Sequence, residues 1–194
     1  SIIDGTTTST ITIAVDDANS DDDFDAVTDQ TLSVDTTDDD VAGFTIEETE
    51  GATEVDESGS TDTFTIVLDA QPTNDVVVLA TASNDETEAI VSGSITFTSE
   101  NWDTPQTVTV TGVDDDLVDG DQTYDITISI VDTISDDDFD GVADQSVSST
   151  TLDNDAPGFT IEETDAATEV DESGSTDTFT IVLDAQPTND VVVL

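Results

Sequence analysis

Residues 106–131, QTVTVTGVDDDLVDGDQTYDITISIV, place an acidic loop between two segments in which apolar and polar residues alternate. In the second segment Tyr124, Ile126, Ile128 and Ile130 occupy every other position, with polar residues between them. β-Branched residues at a period of two are typical of a strand that buries one face. The stretch therefore predicts two half-buried strands of an antiparallel sheet, and the loop between them holds five aspartates in eight residues.

Segments with the same alternation recur on both sides of this stretch, and turn signals such as QPTND and SGS separate them. In one of them Phe64, Ile66 and Leu68 fall on one face. No window shows the period of an amphipathic helix. We therefore predict an all-β fold, a seven-stranded antiparallel Greek-key β-sandwich. The predicted strands are 44–48, 62–69, 75–83, 91–98, 106–113, 123–131 and 145–152.

A repeat of 115 residues runs through the chain. Residues 43–79 and 158–194 differ at only two positions, where Glu50 corresponds to Asp165 and Gly51 to Ala166. The same offset relates SDDDFDAVTDQ near the start to SDDDFDGVADQ further on. A unit of this length is too long for one coil of a solenoid and fits a whole sandwich domain of about 100 residues.

The repeat predicts the domain organisation. We expect one complete β-sandwich repeat at 43–157. Residues 1–42 are expected to be the C-terminal part of a preceding repeat, and residues 158–194 the N-terminal part of a following one. The chain would then be a segment of a long tandem array whose neighbouring units are nearly identical.

The charge of the chain is entirely negative. Its 194 residues include 49 Asp and Glu and no Lys, Arg or His. Such a charge with few apolar residues is common in disordered chains, but the strand pattern argues against disorder. Repulsion excludes nucleic acid and anionic membranes as direct partners. The chain has no Cys and no apolar run of about 18 residues for membrane insertion, and we expect an extracellular or cell-surface location.

The acids are concentrated between the predicted strands, at 47–57, 114–121, 136–140 and 153–155. A surface adapted to high salt would spread its charge more evenly, although a saline habitat would add to the same charge. Aspartates about 4 Å apart repel by roughly 1 kcal/mol even in water, and a divalent cation reverses the sign. Because only oxygen ligands are present, the pattern favours Ca²⁺. Mg²⁺ is a poorer match, since it keeps its waters and needs tight octahedral geometry.

Three motifs resemble Calx-β domains. GVDDDLVDGDQTYDITI at 112–128 resembles the segment in which an aspartate run follows one strand and a further acid precedes the next. LDNDAPGFTIEE at 152–163 resembles the junction between two such domains, and also the calcium-binding linker of cadherins. VDESGSTDTFTIVLDAQP at 55–72 resembles the opening hairpin. The whole unit is similar to the tandem Calx-β-like repeats of large bacterial surface proteins.

The resemblance implies a set of calcium ligands by position. An acid of the loop 84–88, Asp85 or Glu86, is expected to join them. The family often has Glu where this chain has Asp119, and an acid near Gln122, so the number of ions stays open. In the complete repeat the implied ligands are Glu47, Asp114, Asp115, Asp116, Asp119, Asp153, Asn154 and Asp155. The partial repeats supply Asp4, Asp38, Asp39, Asp40 and Glu162.

A second candidate calcium loop is DDDFDGVAD at 136–144. Asp136, Asp138, Asp140 and Gly141 fit the pattern D-x-D-x-D-G, in which oxygens at alternate residues surround one ion. The segment resembles thrombospondin type 3 loops as much as EF-hands, because Val147 stands where an EF-hand has Glu. A solvated acidic loop is the alternative.

The aromatic residues are expected to serve packing. Trp102 is interpreted as an anchor at a strand entry, in preference to a platform for sugar. Phe24 and Phe139 are predicted to fix their long acidic loops to the sandwich, and Phe44 and Phe159 to belong to the core at the junctions.

The function predicted from these features is structural. We expect a calcium-binding segment of a secreted bacterial surface array, either an adhesin stalk or an extracellular filament, that calcium at the junctions makes rigid. Its partners would be neighbouring identical repeats and, in a filament, copies of the chain. A calcium-sensing regulatory Calx-β module is the alternative, although near-identical tandem copies argue against it. We expect no enzyme, because a two-carboxylate glycosidase needs a cleft and groups that hold sugar.

Overall fold

A computed structural model describes residues 2–83, 87–164 and 167–194. The described residues form an all-β chain with short 3₁₀ turns at Asp22–Phe24, Thr49–Gly51, Asp132–Ile134 and Asp137–Phe139. The strands are β1 (Thr7–Ile13), β2 (Gln30–Thr36), β3 (Phe44–Glu48), β4 (Thr53–Asp56), β5 (Thr61–Leu68), β6 (Val76–Ala82), β7 (Ala89–Val91), β8 (Ser94–Phe97), β9 (Gln106–Gly112), β10 (Gln122–Ile130), β11 (Gln145–Leu152), β12 (Phe159–Glu163) and β13 (Phe179–Leu183).

Strands β3 to β11 form a β-sandwich in the middle of the chain. One sheet has the order β3-β5-β9-β7 and the other the order β4-β11-β10-β6-β8. The apolar faces predicted on β5 and β10 are confirmed, because Phe64, Ile66, Ile126 and Ile128 are almost fully buried between the sheets. Trp102 packs partly buried against this core, as expected for an anchor.

The strand count and direction differ from the prediction in two places. Residues 91–98 do not form one strand, because Gly93 with φ of 88° lets the chain leave β7 in one sheet and enter β8 in the other. The unpredicted strand β4 pairs with β11 in parallel, so the sandwich is not purely antiparallel. The described residues of this sandwich thus hold nine strands where seven were expected.

Two separate hairpins flank the sandwich and reproduce parts of it. Thr7 pairs with Thr36 across β1 and β2, and Gln122 pairs with Thr151 across β10 and β11, both 115 residues further on. In the same way β12 and β13 have the register of β3 and β5. Apolar residues of these hairpins are exposed, in contrast to their buried counterparts. Phe159 is therefore about half exposed, whereas Phe44 lies in the core as predicted.

The same main-chain contact joins the sandwich to the flanking segment at both ends. Leu117 forms an isolated parallel bridge with Gln186, and the N–H of Val118 donates to the carbonyl of Gln186 at 3.2 Å. The corresponding contact, 115 residues earlier, joins Ile2 and Ile3 to Gln71. The acidic loop after β9 therefore reaches the Gln-Pro turn that follows β13.

Candidate metal centre

The acidic cup lies at the end of the sandwich where β4, β9 and β11 end. We define it by the acids that this end brings together: Glu57, Glu88, Asp114, Asp115, Asp119, Asp153 and Asp155. Glu57 follows β4 directly and is only 1% exposed. Its carboxylate accepts a hydrogen bond from the N–H of Asn154 at 3.2 Å. The amide of Asn154 donates to Oδ1 of Asp114 at 3.1 Å, which joins the segment after β11 to the loop after β9.

Three acids of the cup have the spacing of a metal site. One carboxylate oxygen each of Glu57, Asp153 and Asp155 lies within 4.8 Å of the other two. A single cation at their centre would contact all three groups, since calcium binds oxygen at about 2.3–2.6 Å.

Turns within the acidic loops fix the carboxylates in place. The N–H of Leu117 donates to Asp115 and the N–H of Gly120 to Asp153, each at 2.7 Å. The N–H of Asp155 donates to the other oxygen of Asp153, also at 2.7 Å. Asp153 thus ties the loop after β9 to the segment after β11. Short Asp-rich turns favour such side-chain to main-chain bonds, which explains why aspartate rather than glutamate dominates here.

Burial and mutual repulsion disfavour the charged forms of these acids. Burial, with repulsion from Asp153, Asp115 and Asp119, raises the pKa of Glu57 above its usual range, although the hydrogen bond from Asn154 opposes the shift. The pKa of Asp155 is raised by burial and by four neighbouring aspartates. Burial and the charges of Asp119 and Asp115 likewise raise the pKa of Glu88. No protein cation exists to offset this repulsion.

Two oxygens of the cup show that its residues fit a cation. Within the described part of the chain, Oε2 of Glu88 and Oδ2 of Asp155 are buried and have no hydrogen-bond partner. A buried carboxylate oxygen without a partner costs about 1–3 kcal/mol or more. A hard divalent cation would satisfy both oxygens and neutralise the surrounding charge, and an all-oxygen set of this size suits calcium.

Neighbouring residues set the positions of Glu57 and Glu88. A Cβ added to Gly112 would lie 2.2 Å from the carbonyl oxygen of Asp56, so only glycine lets the end of β9 approach the chain just before Glu57. The carbonyl of Glu88 accepts hydrogen bonds from the N–H of Val113 at 2.9 Å and from the hydroxyl of Thr151 at 3.1 Å. These contacts hold both glutamates against the aspartate loop.

The start of the chain repeats part of this arrangement. Asp38, Asp39 and Asp40 each offer an oxygen within 4.8 Å of the others. Asp38 accepts hydrogen bonds from the N–H groups of Asp4 and Gly5, as Asp153 does from Gly120. Three of the ligands predicted near the start of the chain therefore come together.

Glu47, also predicted as a ligand, does not join the cup. Glu47 is exposed in the middle of β3 and pairs with Thr65, which pairs with Thr107 on β9. Seven residues separate Thr107 from Asp114, a span of roughly 20 Å along a strand. Glu162 has the equivalent place on β12. Asp116 is exposed and contributes charge at the rim of the cup. Asp85 and Glu86 lie outside the described residues.

The segment 136–144 lies at the opposite end of the sandwich and has a different role in this structure. Asp136 is buried, and its carboxylate accepts hydrogen bonds from the N–H of Thr73 at 2.7 Å, the hydroxyl of Thr73 at 2.8 Å and the N–H of Asn74 at 2.6 Å. Burial opposes ionisation, but these bonds and one from Asp138 outweigh it and lower its pKa. Phe139 is fully buried beside it, as predicted, whereas Asp138 and Asp140 are exposed.

Sequence reasoning did not single out Glu57 and placed no weight on Glu88. Glu57 lies in an ESGS turn that resembles an ordinary polar hairpin, and the strand β4 that positions it was not predicted. One local sequence feature could have indicated Glu57: a glutamate followed by small residues, directly before the strongly alternating strand β5.

No family model matches the chain, and no curated protein matches it. Solved structures with similarity include the E. coli chaperone DraB, at 10% identity and a TM-score of 0.41, with 59% of this chain and 57% of the chaperone covered. The apo form of the Calx CBD1 domain aligns at 16% identity and a TM-score of 0.42, over 60% of this chain and 100% of that domain. CBD12 from CALX1.2 aligns at 17% identity and a TM-score of 0.40, over 66% of this chain and 51% of that chain. All three TM-scores lie below 0.5.

Proposed function

We propose that the chain is a structural segment of a secreted bacterial surface array, whose tandem 115-residue β-sandwich repeats bind calcium in the acidic cup. The observation that carries the proposal is the pair of buried carboxylate oxygens without partners, on Glu88 and Asp155, inside a cluster that holds no cation of the protein. Such a cluster is costly unless an ion fills it.

The proposed repeat runs from 43 to 157, with parts of neighbouring repeats at 1–42 and 158–194. Support comes from the equal registers of the flanking hairpins and the sandwich strands, and from the two equivalent main-chain contacts at Gln71 and Gln186. The acidic loop contributes carboxylates to the cup and main-chain bonds to the next unit. Calcium in the cup would therefore fix this loop and align consecutive repeats. None of the helices in the described ranges is long and apolar enough to cross a membrane.

Thermal unfolding of the 194-residue chain in calcium, magnesium and calcium-free buffer at matched ionic strength tests the proposal. A ligand at about 100 times its Kd adds about 2.7 kcal/mol, which corresponds to a rise in Tm of about 10 °C for a domain of about 115 residues. We expect this rise with calcium and a much smaller one with magnesium. Equal Tm values in calcium and in calcium-free buffer would contradict the proposal.

A further inference from the structure

A chain of buried hydroxyl groups runs through the sandwich beside the acidic cup. It consists of Tyr124 on β10 and of Ser149 and Thr151 on β11, and all of these residues are buried. The hydroxyl of Ser149 donates to the phenol oxygen of Tyr124 at 3.1 Å, and this oxygen lies 3.2 Å from Oγ1 of Thr151. Buried hydroxyls are costly unless they are hydrogen-bonded, so this network is a specified part of the core.

The last bond of the network fixes the direction of the others. The hydroxyl of Thr151 donates to the main-chain carbonyl of Glu88 at 3.1 Å. Because a hydroxyl has one proton to donate, Thr151 must accept its bond from Tyr124. Tyr124 in turn accepts from Ser149. All the hydroxyl protons of the chain therefore point towards one residue of the acidic cup, Glu88.

The end of β11 holds both glutamates of the cup. Glu88 directly precedes β7 in the other sheet, so the bond from Thr151 crosses from one sheet to the other. At the next residue, the carbonyl of Leu152 accepts a hydrogen bond from the N–H of Glu57 at 3.2 Å. Asp153 follows directly. Consecutive residues of one strand thus set the positions of Glu57, Glu88 and Asp153 relative to one another.

The carboxylate of Glu88 carries the oxygen that this arrangement controls. Its Oε2 is buried and has no hydrogen-bond partner among the described residues. A bond that fixes the carbonyl of the same residue limits the positions that the carboxylate can take. Selectivity between calcium and magnesium depends on the size of the cavity and on the flexibility of the ligands. A residue that fixes Glu88 therefore affects selectivity as well as affinity.

We infer that Thr151 is a positioning residue of the acidic cup, and that the hydroxyls of Ser149 and Tyr124 hold it in its donating orientation. The inference rests on the calcium function proposed above and adds the device that makes the cup selective. With Glu88 fixed, the cup keeps a spacing that suits calcium. Without the bond from Thr151, the carboxylate is free to approach the smaller magnesium ion, which needs shorter distances to oxygen.

The test compares the 194-residue chain with Thr151→Val, which keeps the shape of the side chain and removes its hydroxyl. Affinities for calcium and for magnesium are measured by isothermal titration calorimetry. Calcium affinity should fall about tenfold, as is usual when a group that orients a metal ligand is lost, and magnesium affinity should change less. Thr151→Ser keeps the hydroxyl and should retain the affinity and selectivity of the unaltered chain.

Thr150→Val is the matched control, because successive side chains of a strand point to opposite faces. The hydroxyl of Thr150 lies 3.4 Å from that of Thr123, away from the cup, and its loss should leave both affinities within about twofold. Tyr124→Phe removes the group that donates to Thr151 and should lower the ratio of calcium to magnesium affinity by a smaller factor. Circular dichroism checks that each variant is folded, and Tyr124→Phe decides the question if Thr151→Val does not fold.

Two results would overturn the inference and leave the proposed function intact. One is a folded Thr151→Val chain in which calcium affinity is unchanged or falls by the same factor as magnesium affinity. The other is a Thr151→Ser chain as weak and as unselective as Thr151→Val. An unaltered chain that binds no calcium would overturn the proposed function and this inference together.

Discussion

The N–H of Asn154 donates a hydrogen bond to Oε2 of Glu57, a residue 97 positions earlier in the chain. This bond joins the segment that leaves the last strand of the sandwich to the turn after β4. It places a buried glutamate among the aspartates of two other loops, and it makes the acidic cup dependent on the whole sandwich rather than on one local motif.

The first prediction concerns Glu57→Gln. Loss of this charge removes the cost of burying it and its repulsion with Asp153, Asp115 and Asp119, so the free energy of unfolding in calcium-free buffer should rise. Calcium affinity should fall at least tenfold, about 1.4 kcal/mol, as measured by isothermal titration calorimetry. Glu54→Gln on the exposed side of β4 is the matched control and should change neither quantity. Unaltered calcium affinity in Glu57→Gln would remove this residue from the site.

The second prediction concerns pH. The pKa values of Glu57, Glu88 and Asp155 are raised in the folded chain, so these groups bind more protons when folded than when unfolded. These groups therefore stabilise the folded chain at a pH below their ordinary pKa range. This stabilisation is lost progressively as the pH rises through the raised pKa values. In calcium-free buffer the Tm should fall as the pH increases from about 4 towards 7.

Calcium should reverse this dependence, because it binds the deprotonated carboxylates. At pH values below the ordinary range of aspartate, protonation of groups with lowered pKa, such as Asp136, should destabilise the chain in either buffer. Thermal unfolding across pH with and without calcium checks both expectations. The same slope of Tm against pH in both buffers would disprove the assignment of these three acids to the ion.

The third prediction concerns Gly112→Ala. The added Cβ would lie 2.2 Å from the carbonyl oxygen of Asp56, so β9 and the end of β4 must separate. Overpacking of this kind costs about 1–3 kcal/mol, and Glu57 would move with the displaced chain. We expect lower stability in denaturant unfolding and weaker calcium binding. Gly141→Ala is the control, because no atom lies within 4 Å of its added Cβ. An unchanged calcium affinity in a destabilised Gly112→Ala chain would limit Gly112 to packing.

The fourth prediction concerns Val118→Pro, which removes the N–H that donates to Gln186. In the unaltered chain, calcium should slow hydrogen exchange at the amides of Val118 and Gln186, measured by NMR. In the variant, the N–H of Gln186, which donates to the carbonyl of Asp116, should exchange faster than in the unaltered chain even with calcium bound, because the bridge has lost its neighbouring bond from Val118. Calcium affinity should stay within about twofold, because the side chain of Val118 is not a ligand. Val118→Ala should behave like the unaltered chain. Full protection of Gln186 in the proline variant would mean that other contacts align the units.

Strand positions were predictable wherever apolar and polar residues alternate without interruption. The strand ends near Gln145 and Leu152 and the buried faces of β5 and β10 were found correctly for this reason. Strand β4 was missed because four residues of TEVD give too short a pattern, and its partner β11 is distant in sequence. The division of 91–98 depends on a positive φ at Gly93, which periodicity does not reveal.

The candidate site was predictable only in its aspartate loops. Runs such as Asp114–Asp116 and the triplet at Asp153–Asp155 are visible as local charge, and the structure brings most of them together. Glu57 and Glu88 are single acids whose importance comes from burial, which depends on packing between distant strands. Asp136 shows the converse, because its local pattern suggests an ion while its buried carboxylate accepts protein hydrogen bonds from Thr73 and Asn74.

The parallel pairing of β4 with β11 has a mechanical consequence. Thr53 to Asp56 pair in register with Ser149 to Leu152, near the beginning and the end of the sandwich. Tension between the N-terminal end of β4 and the C-terminal end of β11 draws these two parallel strands in opposite directions along their length. All the hydrogen bonds of this ladder then bear the load together in shear, instead of opening one after another. This ladder therefore resists stretching between β4 and β11, which suits the tandem array proposed above.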